Sequence, residues 1–423
     1  MENCILRHTG GTPTPLRTML KRISVHHLTL GMHIDGFCAP WMEHPFWRNH
    51  FVLTDPQDLA RVRASSVQEV WIDTSKGLDV APVATQHAAP EPATQAAPAP
   101  ARDTAPTTAA QEYARAARIC AKAKLAVTAM FQEARLGQVV QTDLAEHLVQ
   151  EISDSVMRNP SALVSLARIK TADDYTYMHS VAVCALMVAL ALQLQLDPAQ
   201  TRSAGMGGLL HDLGKALVPL EVLNKPGKLT DAEFAIIQAH PAQGHQLLVE
   251  WLTDDPAVLD IVLHHHEKID GSGYPNGHKG DAISLLAKMG AVCDVYDAIT
   301  SDRPYKKGWD PSESLKKMAE WTNGHLDTQV FHAFVKSLGI YPTGSLVRLA
   351  SGRIAVVTGQ SASSLLKPIV KAFFSTKLDM RIPPVVIDLS APDCTDKITT
   401  REDPAYWRFQ DLNTLWSGLG PLS

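Results

Sequence analysis

The 423-residue chain has only six cysteines, Cys4, Cys38, Cys120, Cys184, Cys293 and Cys394, with no CxxC pair among them. Scattered thiols of this kind exclude a zinc ribbon and suit the reduced thiols of a cytoplasm better than a disulfide frame. No block rich in Lys or Arg occurs, and 39 basic against 44 acidic residues leave a formal net charge of -5 with both signs interspersed. Such a surface has no field suited to gripping duplex nucleic acid. Long apolar runs are missing too. The longest, Val181 to Leu192, falls below the roughly 20 residues needed to cross a bilayer and reads as a buried core helix. Residues 1–20 are interrupted by Gly10, Gly11, Pro13 and Pro15 and lack the apolar centre of a signal peptide. The expectation is a cytoplasmic protein without a membrane span. No internal repeat at solenoid spacing is present.

What is present is 45% hydrophobic residue, enough for true cores in two or three domains. From Ala81 through Ala110 the chain is mostly Ala, Pro, Thr and Gln, which cannot bury a core, so residues 81–110 are expected to form a flexible linker. Before it, residues 21–80 alternate around Ile34 and Phe37, turn helical over Asp55 to Ala64 and β-rich at Val70-Trp71-Ile72. They read as a small α+β module. After it come connecting helices over 111–158, then a mainly α domain over 159–340 broken by Gly/Pro loops. Beyond Pro342 the period changes to two, at Leu346 to Leu349, Ile354 to Val357 and Pro384 to Leu389, so 341–423 should be a β-rich segment. The fold class expected is therefore multidomain, with a helical central domain between two small β-containing parts. The helices from Gln111 to Met157 offer an amphipathic pair for a homodimer, or for packing on their own domain.

Histidines and aspartates crowd the helical part: His179, His211-Asp212, His240, His264-His265-His266 and Asp294-Val295-Tyr296-Asp297. Imidazole and carboxylate without thiolate form the ligand set of a hydrolytic Fe, Mn or Zn centre. His211 and Asp212 follow Gly205, Gly207 and Gly208 and precede Gly214, small residues that let backbone pack closely where polar side chains enter an interior. Consecutive helical residues diverge by about 100°, and a carboxylate can bridge two ions where an imidazole cannot, which makes Asp212 the candidate bridge. Thr230 and Glu233 form a capping-box pattern for a helix ending near His240, where Pro241 breaks or kinks the chain. Lys215 lies one turn past His211 if that helix continues, placed to hold developing negative charge or protonate a leaving oxygen. Arg303, Lys306 and Lys307 around Pro304-Tyr305 could grip a phosphate, and Gly271 to Pro275 reads as a tight loop.

Over residues 160–339 these motifs together resemble the HD-GYP family, metal-dependent phosphodiesterases of the larger HD superfamily. The resemblance rests on Tyr175-Thr176-Tyr177-Met178-His179-Ser180, His211-Asp212-Leu213-Gly214-Lys215, Lys225-Pro226-Gly227-Lys228-Leu229-Thr230 and His240-Pro241. It continues through His265-His266-Glu267, Asp270-Gly271-Ser272-Gly273-Tyr274-Pro275, Asp294-Val295-Tyr296-Asp297-Ala298 and Arg303-Pro304-Tyr305-Lys306. The module before the linker is similar to the uncharacterised domain often found ahead of HD-GYP domains in bacterial signalling proteins.

The resemblance implies one divalent metal held by His179, His211, Asp212 and Asp294, and a second by Asp212, His240, His265 and His266. Fe or Mn are foremost, with Zn, Ni or Co as alternatives. Some family members hold a third metal through a carboxylate four residues before the first histidine; Tyr175 stands there in this chain, so two ions are expected. Two ions about 3.5–4 Å apart lower the pKa of a water and polarise phosphoryl oxygens. The resemblance further implies catalytic roles for Asp212 and Lys215, and substrate phosphate bound by Arg303 and Lys306. Asp297 supports the site, and the Gly273-Tyr274-Pro275 loop lies beside the substrate. The implied activity is hydrolysis of cyclic di-GMP to linear pGpG and onward to GMP. The alternative is a binding module that recruits diguanylate cyclases or other signalling partners. Another HD-superfamily nucleotide phosphohydrolase is a third reading, against which the Asp270 to Pro275 loop argues.

Overall fold

The computed structural model describes residues 20–37, 51–64, 67, 69–74, 76–78, 80, 103–138, 142–169, 175–251, 255–301, 308–361 and 363–419. The chain divides into two compact units, Met1–Pro98 and Ala99–Ser423. In the first, β1 (Leu20–Ser24), β2 (His33–Phe37), β3 (Phe51–Val52), α1 (Pro56–Ala64) and β4 (Glu69–Asp73) build an antiparallel sheet of order β1-β4-β2-β3. Alternation sets its faces: Val70 and Ile72 are buried with Ile34, Leu53 and Val62, while Trp71 between them faces out. This is the α+β module expected from the sequence.

The second unit opens with α2 (Ala109–Arg135), α3 (Thr142–Arg158), α4 (Pro160–Ala167) and α5 (Tyr175–Gln193). It continues through α6 (Pro198–Leu210), a 3₁₀ turn at Leu213–Leu217, α7 (Leu220–Leu223), α8 (Asp231–Gln238), α9 (His240–Trp251) and α10 (Pro256–His264). The helical part closes with α11 (Leu285–Thr300), α12 (Pro311–Trp321) and α13 (Thr328–Leu338). Helix α5 is apolar on every face because it sits at the centre, packed by α6, α2 and α11, with Val181 to Ala191 buried. Thr176–Gln193 is long and apolar enough to cross a membrane by length and composition, but 78% of it is buried inside the protein. Each fully buried Leu or Val contributes roughly 1.5–3 kcal/mol, so α5 anchors the domain. The inner faces of α2 and α3, including Tyr113, Val127, Leu148 and Ile152, join this same core.

The C-terminal segment forms β5 (Leu346–Leu349), β6 (Arg353–Gly359), β7 (Ile369–Ser375), β8 (Met380–Asp388) and β9 (Ile398–Arg401). They make an antiparallel sheet of order β8-β7-β6-β5-β9, followed by α14 (Pro404–Trp407) and α15 (Leu412–Ser417).

The expected linker ends earlier than residue 110; residues 81–102 lie outside the described residues. Thr108 caps α2 with a full capping box to Gln111, Arg158 donates to the Asp103 carbonyl at 2.6 Å, and Asn159 donates to that of Thr107 at 3.1 Å. Residues 103–110 therefore belong to the helical unit despite their Ala/Pro/Thr composition, since capping and side-chain hydrogen bonds hold them where apolar burial does not. A fragment starting at Ala99 should be more stable than one starting at Gln111, by about 1 kcal/mol for the cap alone. Urea unfolding of the two checks this, and equal midpoints would show that the segment contributes nothing.

Candidate metal centre

His179 lies one turn into α5, while Asp294 and Asp297 share a face of α11 at a spacing of three. His211 ends α6 as its C-cap, with Asp212 beyond it in non-helical geometry (φ -98, ψ 4) ahead of the 3₁₀ turn. The pair is therefore not mid-helix, as the expected 100° divergence assumed; the α-to-3₁₀ break aims both side chains inward. Gly214 permits the break, because a Cβ there would strike the His240 carbonyl oxygen and stand 2.5 Å from the Gly244 nitrogen. The capping box of Thr230 and Glu233 starts α8 as expected, and His240 begins α9 just after that helix ends. His265 is the C-cap of α10 and His266 follows it.

These elements bring together all the residues singled out as ligands. His179 Nε2 stands 2.9 Å from Asp294 Oδ1, 3.3 Å from His211 Nε2 and 3.6 Å from Asp212 Oδ2. His211 Nε2 is 3.4 Å from the same Oδ2. The other oxygen, Asp212 Oδ1, faces His240 Nε2 at 3.2 Å and His265 Nε2 at 4.0 Å, and His266 Nδ1 lies 3.6 Å from Asp294 Oδ2. Two donor groups result, His179, His211 and Asp294, and Asp212, His240, His265 and His266, each drawn within 4.8 Å. The two oxygens of Asp212 point one to each group.

Hydrogen bonds on the far side of the rings prepare them to ligate. Nδ1 of His211, His240 and His265 donates to the carbonyls of Gly208, Ile237 and Val262 at 2.9, 2.7 and 2.9 Å, and Nδ1 of His179 bonds Asp297 Oδ2 at 2.6 Å. With those protons committed, His240 and His265 present their Nε2 atoms lone pair to lone pair, 3.3 Å apart. Beside them Asp212 Oδ1, buried, has no hydrogen-bond partner among the described residues. Facing lone pairs next to an unsatisfied carboxylate oxygen are what a cation relieves, so the residues fit a divalent metal.

Burial lowers the pKa of His211, takes His265 well below the imidazole range with help from neighbouring rings, and takes His266 to about 3. Burial works against a proton on His179 as well, but Asp294 and Asp297 outweigh it and raise the ring. Asp212 and Asp294 are held well below the carboxylate range in spite of burial, Asp212 chiefly by His211 and Lys215 and Asp294 chiefly by His179.

Chelator-treated protein should therefore lose stability as pH falls from 6.5 to 5.5. Below about 6.5 the unfolded chain protonates His211, His265 and His266 while the fold resists, costing up to ~1.4 kcal/mol per pH unit for each. The raised His179 stabilises fully below 6.5 and loses that contribution as pH rises through its folded pKa, so it adds no opposing slope in this window. Urea unfolding at the two pH values measures the difference; equal stability would contradict the neutral, buried imidazoles.

Lys215 lies in the 3₁₀ turn, not on a continued helix, and its Nζ reaches Asp212 Oδ2 at 2.7 Å. Tyr274 packs its ring 4.7 Å from that of His266, and its N–H bonds the His266 carbonyl at 3.2 Å. Gly273 sits against the backbone of Glu267 and Lys268, with room for no Cβ, and Pro275 follows Tyr274 through a cis peptide. Asp297, given a supporting role by the resemblance, is buried behind His179, where it steadies a ring and takes a hydrogen bond from Ser301 Oγ at 3.3 Å. Arg303, Lys306 and Lys307, and the side chain of Tyr175, lie outside the described residues. His264, which the resemblance does not number among the ligands, turns away from this centre to Asp260, 2.7 Å from Nδ1, as the i,i+4 spacing of the two residues signals.

A buried His/Asp cluster gathered around an adjacent His-Asp pair inside a helical domain is the mark of the HD class. A family model described as HD domain matches residues 151–330, and one described as a domain of unknown function (DUF3391) matches residues 20–145. The cyclic di-GMP phosphodiesterase PA4108 of Pseudomonas aeruginosa is 54% identical over 403 residues, 95% of this chain and 96% of that protein. The 3'3'-cGAMP-specific phosphodiesterase 1 of Vibrio cholerae is 37% identical over 38% of each chain. Among solved structures, Bd1817, a HDG"Y"P protein from Bdellovibrio bacteriovorus, is 20% identical with a TM-score of 0.46, covering 75% of this chain and 98% of that one. The chain belongs to the HD-GYP family, with an N-terminal domain of the DUF3391 type.

Proposed function

We propose that the chain hydrolyses the phosphodiester bonds of cyclic di-GMP to linear pGpG and onward to GMP, using two divalent ions, Fe or Mn foremost. The observation that carries the reading is the Asp212 carboxylate, its oxygens turned to two separate imidazole groups. The likeness to the Pseudomonas phosphodiesterase along nearly the whole of both chains supports the substrate.

His179, His211, Asp212 and Asp294 would hold one ion, and Asp212, His240, His265 and His266 the other. When bound, the ions polarise phosphoryl oxygens and make water a nucleophile near neutral pH. Asp297 and the carbonyls of Gly208, Ile237 and Val262 keep the Nδ1 protons away from the centre and fix each ring. Lys215, its side chain 21% exposed beside a buried carboxylate, holds charge developing on the phosphoryl group or gives a proton to the leaving oxygen. Gly273, Tyr274 and Pro275 flank the substrate next to His266, while Arg303 and Lys306 grip its phosphate. The N-terminal module is regulatory.

Arg303→Ala and Lys306→Ala should raise KM with a smaller effect on kcat and leave metal content unchanged. Each lost charge-assisted contact costs roughly 1.5–3 kcal/mol, about 10- to 150-fold in kcat/KM. Unchanged KM in both variants would return the pair to a solvated loop.

The deciding experiment is anaerobic purification with metal quantification, then incubation with cyclic di-GMP and, separately, 3'3'-cGAMP, with chromatography of the products. Turnover of cyclic di-GMP by metal-loaded protein is expected. Preferential cleavage of 3'3'-cGAMP would replace the substrate, and metal without turnover of either would leave the binding module that recruits diguanylate cyclases.

A further inference from the structure

A second cluster of ligating groups lies outside the His/Asp centre and shares no residue with it. His264, at the end of α10, Glu267 and His278 each place one donor atom within 4.8 Å of the others, and the two imidazole rings are 4.8 Å apart at 34°. Glu267 is 3% exposed. Its Oε1 takes the Asn276 N–H at 2.8 Å, but its Oε2 is buried without a hydrogen-bond partner among the described residues. A buried carboxylate oxygen without a partner is costly, and a bound cation would relieve that cost.

His264 is prepared as His179 is. Its Nδ1 bonds Asp260 Oδ1 at 2.7 Å, and the other oxygen of Asp260 accepts from Ser284 Oγ, so the carboxylate is fixed from both sides. Holding Nδ1–H in that bond leaves Nε2 with its lone pair outward, the tautomer a metal needs. That lone pair now meets the Asn276 amide, with Nδ2 at 3.0 Å. The amide hydrogen sits where a cation would, and half a turn about its terminal bond would offer an oxygen instead. The loop geometry supports the approach, since Gly277, at φ +67, turns the chain between Asn276 and His278.

We infer that His264, Glu267 and His278 bind a divalent ion of the zinc type, with the Asn276 amide or water as fourth ligand, independently of the His/Asp centre. Two imidazoles and one carboxylate with an open position are a zinc donor set, and none of the three is a thiolate that would demand a softer ion. Such an ion would clamp the loop carrying Gly273 and Tyr274 to the end of α10, on either side of His265 and His266 in the chain.

Zinc alone is the probe, titrated calorimetrically into chelator-treated full-length protein. His278→Leu should bind one zinc fewer per chain than wild type, or bind that zinc at least a hundredfold more weakly. His278 is partly exposed in a loop, so the leucine variant should fold, and far-UV circular dichroism verifies it. Asp212→Ala, which disables the His/Asp centre, should retain the zinc that His278→Leu loses, and Asp212→Ala/His278→Leu should lose that zinc as well. Equal zinc stoichiometry and affinity in wild type and His278→Leu would overturn the inference. That comparison stands even if the Asp212 variants misfold, and it does not depend on which substrate the enzyme turns over.

Discussion

Asp212→Asn purified without oxygen will carry neither ion of the His/Asp centre and will hydrolyse cyclic di-GMP at background rate. Asparagine keeps the size of the side chain, so packing against the 3₁₀ turn survives; what goes is the charge that faces two groups of imidazoles at once. His211→Ala removes a ligand from one group only and should lose metal on that side first. Two measurements carry the test, metal per chain by mass spectrometry and product by chromatography. Full turnover with empty sites in the Asn variant would sink the two-metal reading, and full occupancy without turnover would make Asp212 a base or an orienting group.

Much of this site is legible in the sequence alone. His-Asp adjacency, flanking glycines and the repeated histidines are features of residue type and spacing, and the polar side chains stand out because an interior tolerates them only with partners. The local geometry was less legible. Helical spacing put Lys215 one turn beyond His211, but the chain leaves α geometry at Asp212, which the backbone contact of Gly214 with His240 requires and which depends on residues far apart in sequence. In the C-terminal sheet the strand at Leu346–Leu349 matches its expected bounds, while β7 and β9 were missed. Phe373 and Phe374 of β7 are both buried across a register shift, which spoils the period of two, and β9 is short and mostly exposed. Asp103 to Thr108 looked like linker because hydrogen bonds to Arg158 and Asn159 leave no trace in hydropathy.

Lys215→Ala is expected to keep its metals and lose roughly 10²- to 10³-fold in kcat, the usual cost of removing a preorganised group that meets charge developing in the transition state. The ammonium contributes no ligand, yet it lies 2.7 Å from Asp212 Oδ2, the oxygen facing His179 and His211, and helps hold that carboxylate ionised. Its removal therefore has a second, separable consequence: Asp212 becomes easier to protonate, and the acid limb of metal loading moves to higher pH. A group acting only on the phosphate would leave that limb where it is; a group acting only on Asp212 would move the limb and spare kcat at neutral pH. Lys215→Arg keeps the charge but replaces a compact ammonium with a planar fork, so it should restore the acid limb more completely than the rate. Metal occupancy and kcat measured from pH 5 to 9 in the three proteins separate the roles. If Lys215→Ala is empty of metal at neutral pH, the lysine is a support for Asp212 and the catalytic charge must come from elsewhere, with Arg303 and Lys306 the next residues to examine.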